Sequence, residues 1–342
     1  MAKRADDVFS AIVKRYPLRE PLRIEREESG MNNTTRMIYA ANGRFVLRIY
    51  DNHRDSAIAG IEHAILSTLQ EEGLSFKVPN PAVNREGMTI TKGPDAKLAA
   101  VFRYIAGDRP TAEIPSHIEG LGRAAGELVH CLAKLDTLGA LQPLYKPYYE
   151  FQETHAAMDD DAIRTLSAKL PLTSEQRDNV DCLLLVKRRL TSLIDRIRAL
   201  PHQWVHGDIV FSNALADGDF IVGLLDFEFC TVDVRAMEAA VMIAEFPSAD
   251  DAQALERISL LCRGFGEKQR LGSDEIGLLP DLIQLRMMDV WLHFAGRLSE
   301  GLDSADVWLH QIDRVSFVCE WVERKRAELY MAFRVMEARP LD

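Results

Sequence analysis

Absent from this sequence of 342 residues is any apolar run near the roughly 20 residues needed to cross a bilayer, so no membrane partner is expected. The opening Met1-Ala2-Lys3-Arg4-Ala5-Asp6-Asp7 also lacks the apolar stretch of a secretory signal, which places the expected site of action in the cytoplasm. A basic excess is missing too: 41 Lys and Arg stand against 52 Asp and Glu, a formal charge of −11. Nucleic-acid binders draw most of their affinity from neutralised phosphates, so no nucleic-acid partner is expected. Cysteine is sparse, odd in number and scattered (Cys131, Cys182, Cys230, Cys262, Cys319), with no Cys-x-x-Cys pair. That pattern excludes a disulfide framework and a zinc site. There is no internal repeat and no low-complexity segment, and the ordinary composition excludes collagen-like, disordered and coiled-coil readings.

What is present suits a folded enzyme-sized chain. At 47% hydrophobic residues it can bury a sizeable core, and its length corresponds to two domains or one two-lobed unit. The division is expected near 105, where Val101 to Ile105 reads as a short apolar strand and Ala106-Gly107-Asp108-Arg109-Pro110 breaks any regular element. Before it, Asn42-Gly43 separates Arg36–Tyr39 from Phe45–Tyr50 and predicts a hairpin with a two-residue turn. Alternation sends Phe45, Leu47 and Ile49 to one face and Arg48 to the other. Ile58, Ile61, Ile65, Leu66 and Leu69 then mark one helix over about 55–71, with Glu62 beside the stripe. After the division helices dominate: 121–135, a long one opened by a Thr173/Gln176 capping box, and the tail from 278 to 335.

Residues 203–229 break the helical pattern and carry the chemistry. Asp217-Gly218 predicts a second hairpin, joining Ala214–Ala216 to Phe220–Leu225, with Asn213 and Asp226 flanking its outer ends. The stretch from Asp208 to Asn213 must curl back for the three polar side chains to meet. Such a trio suits phosphoryl transfer, where the protein supplies positioning and charge neutralisation. Asp208 can accept a hydroxyl proton, and the oxygens of Asn213 and Asp226 are hard ligands for Mg²⁺ bridging ATP phosphates.

The string His206-Gly207-Asp208-x4-Asn213, followed by Leu225-Asp226-Phe227-Glu228, resembles the catalytic and metal loops of the aminoglycoside phosphotransferase and choline kinase superfamily. Its continuation, Phe229, Asp233 and Arg235-Ala236-Met237-Glu238-x-Ala240, is most similar to type II homoserine kinases and phosphotransferases grouped with them. The resemblance spans nearly the whole chain. It implies an α+β, two-lobed protein-kinase-like fold: a small antiparallel-sheet N-lobe with one helix (1–105) that binds nucleotide, and a larger mainly helical C-lobe (106–342) with the catalytic loop and acceptor site. It implies ATP and Mg²⁺ as cofactors, with Asp208 as base, Asn213 and Asp226 on the metal, and His206 bracing the loop. Ser29 and Asn32 fall in the turn that would cover the phosphates. Arg48 stands where the family usually places a lysine, and Glu62 matches its helix partner. Arginine keeps the charge but brings a planar fork in place of a compact ammonium. Arg103, Tyr104 and Ile105 fall in the strand whose backbone would hold adenine, and Leu215 and Leu225 would line that pocket. His130 falls one residue later than the family's usual histidine.

The implied reaction is transfer of the γ-phosphate to the hydroxyl of a small amino compound, with L-homoserine leading. Glu228, Asp233 and Arg235, which follow the metal loop, are candidates for orienting it. Alternative acceptors of the same fold are choline or ethanolamine, an aminoglycoside, a thioribose sugar, or a protein serine or threonine. A catalytically silent nucleotide-binding regulator is the competing class; oligomeric state stays open. Asp159-Asp160-Asp161 reads as a solvated helix start and Arg324-Lys325-Arg326 as an outer charged face. His293, His310, Trp291, Trp308 and Trp321 read as packed side chains on apolar helices, with Trp291 a possible cleft aromatic.

Overall fold

A computed structural model describes residues 2–26, 33–51, 56–138 and 141–338. The expected phosphate-covering residues Ser29 and Asn32 lie outside these. A five-stranded antiparallel sheet comes first: β1 (Arg23–Arg26), β2 (Asn33–Ala40), β3 (Gly43–Tyr50), β4 (Ile90–Lys92) and β5 (Leu98–Arg103), in the order β1-β2-β3-β5-β4. The β2–β3 hairpin forms as predicted, but its turn is Ala41-Asn42, one residue early, because Ala40 pairs with Gly43. Gly43 takes up the positive φ of 137° as the first strand residue.

Alternation along β3 gives the sheet two working faces. Phe45, Leu47 and Ile49 point into a small core closed by Phe9, Ile12, Val13 and Tyr16. Those residues belong to or follow α1 (Ala2–Val13), a second N-lobe helix that the sequence pattern did not announce. The opposite face, with Tyr50, Ala100 and Phe102, packs under α2 (Ser56–Glu71) through Ala59, Ile65, Leu66 and Leu69.

The rest of the chain is mainly helical. Its helices are α3 (Pro115–Leu132), α4 (Phe151–Thr154), α5 (Asp160–Ala168), α6 (Ser174–Arg198), α7 (Met237–Ile243), α8 (Asp251–Lys268), α9 (Ser273–Ser299), α10 (Ala305–Arg324) and α11 (Arg326–Phe333). The predicted capping box is intact: Thr173 Oγ1 accepts from Gln176 N–H, and Gln176 Oε1 accepts from Thr173 N–H. Asp159 caps α5 through Ala162 N–H, which accounts for the acidic run there. Helices α3 and α8 approach backbone to backbone: a Cβ on Gly264 would stand 1.9 Å from Glu119 O, and one on Gly122 2.2 Å from Leu261 O. Trp291, Trp308 and Trp321 are fully buried, the first two stacked at 6.3 Å, so Trp291 packs the core and lines no open cleft. No helix among the described residues is long and apolar enough to cross a membrane.

Two short ribbons interrupt the helices and position the polar trio. Strands β6 (His202–Val205) and β9 (Thr231–Val234) pair antiparallel, as do β7 (Ala214–Asp217) and β8 (Phe220–Leu224). The β7–β8 turn is Gly218-Asp219, again one residue off the predicted pair, with Asp217 opposite Phe220 and a register shift at Leu215/Ala216.

Candidate active site

Strand β6 delivers the chain to His206-Gly207-Asp208, and Gly207 turns it with φ +80°. The Asp208 carboxylate is held by both oxygens: Oδ1 accepts from Arg286 Nη2 at 2.8 Å and Oδ2 from Asn213 Nδ2 at 3.0 Å. Asn213 Nδ2 also reaches Asp208 O at 3.0 Å, so the loop does curl back as the spacing required. With its amide nitrogen spent on the loop, Asn213 has its side-chain oxygen left for a ligand. His206 Nδ1 accepts from Asp208 N–H (3.2 Å), which puts its proton on Nε2, donated to Leu225 O at 2.9 Å. Its ring also meets the edge of Phe227 at 4.5 Å. His206 thereby joins the catalytic loop to the segment carrying Asp226.

Beneath this loop lies Glu238, fully buried, accepting from Gly207 N–H at 3.0 Å and from His206 N–H. Burial pushes its carboxyl up, and Oε2 has no hydrogen-bond partner among the described residues. The sequence motif contains Glu238 but gives it no task; the structure makes it the loop's anchor.

Asp226 follows the β7–β8 ribbon directly, because Leu225 N–H donates to Asn213 O at 2.8 Å. It adopts the left-handed conformation, φ 69° and ψ 61°, uncommon for a residue with a side chain. Its Oδ1 is buried without a hydrogen-bond partner among the described residues, 3.4 Å from Arg48 Nη2. Burial pushes this carboxyl up, Arg48 pulls it down, and Glu228 and Asp208 add upward repulsion. A buried carboxylate oxygen and an amide oxygen, on segments joined by the Leu225–Asn213 bond, are a donor set that fits a hard divalent cation. Among the described residues there is no group of three or more His, Cys, Asp and Glu able to hold a metal.

On the sheet side, Arg48 spans two carboxylates. Nη1 donates to Glu62 Oε1 at 2.9 Å while Nη2 faces Asp226, and Phe102 lies 5.4 Å under the guanidinium. Glu62, which the helical pattern alone would place at the surface, is 1% exposed and also accepts from Tyr50 Oη at 2.8 Å. In the connector, Arg103 N–H donates to Asn80 O and Tyr104 N–H to Arg44 O. Ile105 N–H donates to no described residue, so of the three it alone has its amide to offer a ligand. The connector then presses onto β7: Asp108 and Ala216 exchange both backbone bonds at 2.8 Å, and a Cβ on Gly107 would stand 3.0 Å from Leu215 Cβ. Leu215 and Ile105 flank Gly223 together; Leu215 is buried and Leu225 half-buried.

The three residues expected to orient an acceptor have other partners. Glu228, 3% exposed, accepts from Asn33 Nδ2 at 2.7 Å and ties β2 to the segment that follows Asp226. Asp233 is completely buried, each oxygen accepting a backbone N–H at 2.6 Å, from Tyr148 and Val234, and burial raises its pKa to about 7. Arg235 forks onto Glu275 at 2.8 and 2.7 Å. These contacts make Asp233 and Arg235 supports of the C-lobe framework. Besides Asn213, the side chain that bonds Asp208 is one the motif does not contain, Arg286 on α9; Tyr148 backs it, its hydroxyl accepting from Arg286 Nη1 at 2.8 Å and donating to Gly207 O at 2.7 Å. A lone arginine in the apolar stretch of α9 from Leu282 to Trp291 was the only signal available.

A small antiparallel sheet joined to a helical body, with an Asp–Asn–Asp loop pair between them, defines a kinase-like phosphotransferase. The sequence model of the phosphotransferase enzyme family matches residues 23–266. The chain belongs to that family and is an enzyme that transfers a phosphoryl group to a hydroxyl. It is 24% identical over 303 residues to the homoserine kinase of Methylobacillus flagellatus, spanning 86% of this chain and 88% of that one. Amicoumacin kinase, solved with AMP-PNP, Ca²⁺ and its ligand Ami, has a TM-score of 0.67 at 16% identity, over 92% of this chain and 96% of that one. A microcompartment-associated aminopropanol kinase has a TM-score of 0.65 at 14% identity, over 96% and 98%. These two likenesses establish the fold.

Proposed function

We propose that this protein is an ATP- and Mg²⁺-dependent kinase that phosphorylates the hydroxyl of a small amino compound, with L-homoserine the leading acceptor. The observation that carries the reading is the Asp208 carboxylate fixed at both oxygens beside Asn213 and the orphaned Oδ1 of Asp226. The homoserine kinase name of the similar Methylobacillus protein supports the acceptor.

In this reading Asp208 receives the acceptor's hydroxyl proton. Arg286 and Asn213, one on each oxygen, fix the direction from which the hydroxyl approaches, so the reacting atoms meet in few orientations. Asn213 Oδ1 and Asp226 would hold Mg²⁺, which when bound offsets the charge of the transferring phosphate. Arg48, pinned by Glu62, brings a cation to the same place. Ile105 N–H and the Leu215 side chain are the adenine contacts proposed from the connector. The substrates are small and polar, in keeping with an enzyme of the cytoplasm.

Coupled ADP release against a panel of L-homoserine, choline, ethanolamine, an aminoglycoside and 5-thioribose, each with and without Mg²⁺, tests the reading. Homoserine is expected to give the highest kcat/KM, and only with the metal. A higher kcat/KM for any other member overturns the acceptor assignment.

A further inference from the structure

Arg286 does more than touch the base. A guanidinium carries five N–H donors. The described residues take one from Nη2, at Asp208, and one from Nη1, at Tyr148. Nε has no hydrogen-bond partner among the described residues and is not one of their buried unpartnered atoms; 21% of the side chain is exposed. Donors therefore remain to be offered beside the carboxylate that takes the acceptor's proton.

Asp289 follows three residues later on α9, its Oδ2 3.8 Å from Arg286 Nη1 and its Oδ1 2.8 Å from His155 Nε2. Its side chain is 22% exposed, close to the 24% of Asp208. A cation and an anion thus stand within one helical turn, next to the base. That pairing matches a zwitterion: a carboxylate for the fork and an ammonium for the aspartate. A plain amino alcohol would use only half of it.

We infer that Arg286 is the specificity-determining residue of the acceptor site, binding the carboxylate of an amino acid whose hydroxyl stands at Asp208, with Asp289 on the ammonium side. The inference rests on the homoserine reading above and deepens it. In extended homoserine four bonds, about 5 Å, separate the hydroxyl oxygen from the carboxyl carbon. One molecule can therefore reach Asp208 and the guanidinium bonded to it. An alcohol without the carboxylate leaves the fork's donors desolvated and unpaired, the kind of mismatch that discriminates most strongly.

The test compares kcat/KM for L-homoserine with that for 3-aminopropan-1-ol, its decarboxylated counterpart, in the wild type, Arg286→Gln and Arg286→Lys, each checked for folding by thermal unfolding. The wild type is expected to prefer homoserine by at least about 100-fold. In Arg286→Gln that preference is expected to fall below about tenfold, mainly through KM for homoserine, with Arg286→Lys between the two because it keeps charge and loses the fork. A residue that only positions Asp208 would lower kcat for both acceptors alike; an unchanged ratio in the variants overturns the inference. A wild type that turns over 3-aminopropan-1-ol as well as homoserine overturns it without any variant. L-serine and 4-hydroxybutanoate complete the panel. If one of these is preferred over homoserine, and Arg286→Gln removes its preference over its own carboxylate-free counterpart (ethanolamine for serine, propan-1-ol for 4-hydroxybutanoate), the homoserine reading fails while Arg286 keeps its role. If no carboxylate-bearing alcohol is turned over, both fail.

Discussion

Arg48 shows at the scale of a single side chain how the sheet is joined to the segment carrying Asp226. Its fork holds Glu62 on one nitrogen and faces Asp226 with the other, so one side chain on the sheet reaches both α2 and the segment carrying Asp226. Glu62 is almost completely buried; burial, with Asp226 nearby, raises its carboxyl, and Arg48 first, then the Tyr50 hydroxyl, opposes this. Arg48→Met is therefore expected to destabilise the protein by about 3 kcal/mol in urea unfolding, because it strands a buried carboxylate. Adding Glu62→Gln should recover part of that loss, and simple additivity of the two changes would show that the pair is uncoupled. The trio Asp208, Asn213 and Asp226 was legible because its members lie within 19 residues and one hairpin dictates their approach. Arg286 was not, since 78 residues separate it from Asp208 and only the packing of α9 joins them.

Elements were read well where periodicity was local and poorly where a partner decided the outcome. The capping box of α6 and the helix over 56–71 follow from sequence spacing alone. Both hairpin turns were displaced by one residue. Asn42 spends its side chain on Arg19 N–H and Pro17 O, and Gly43 is drawn into the strand. Helix α1 was missed because its apolar residues gain meaning only against Phe45, Leu47 and Ile49. Two predictions belong here. His63 on α2 is buried, and burial with the nearby Arg48 cation lowers its pKa from 6.5 to about 4. At His63 the folded protein thus binds fewer protons than the unfolded chain between those values, whereas at Asp233, raised to about 7, it binds more. The His63 contribution is full above pH 6.5 and is lost as the pH falls toward 4, by roughly 2–3 kcal/mol, so in pH-dependent denaturation the wild type should lose that much more stability than His63→Asn over this window. Loss of stability in that window that is identical in His63→Asn would locate the effect elsewhere. Gly264→Ala drives a methyl into Glu119 O and should cost about 3 kcal/mol or more in denaturant unfolding. A midpoint within error of wild type would mean that α3 and α8 are not held this close.

At the scale of the whole molecule, the sheet and the helical body are tied across the site by Arg48 to Asp226 and by Asn33 to Glu228. In the proposed reading a nucleotide with its metal, seated between them, would add bonds to both at once. Mg²⁺ with ATP at 100 times Kd should stabilise the fold by about 2.7 kcal/mol. Asp226→Asn should lose the metal-dependent part of that gain in thermal unfolding while keeping the metal-independent part. Equal metal-dependent stabilisation in both proteins would remove Asp226 from the metal site. The antiparallel first sheet and the mainly helical remainder were legible from the hairpin signals and the helical periodicity. The acceptor end was not, because Asp233 and Arg235 look available in sequence and are taken by Tyr148, Val234 and Glu275 in the fold.

One measurement reaches the central claim directly: formation of O-phosphohomoserine from ATP, followed by phosphorus NMR, in the wild type and in Asp208→Asn at matched ATP occupancy. The wild type should form the product only with Mg²⁺, and the variant should bind ATP with similar affinity yet transfer phosphate about 10³-fold more slowly. Transfer by Asp208→Asn within tenfold of wild type would contradict the account.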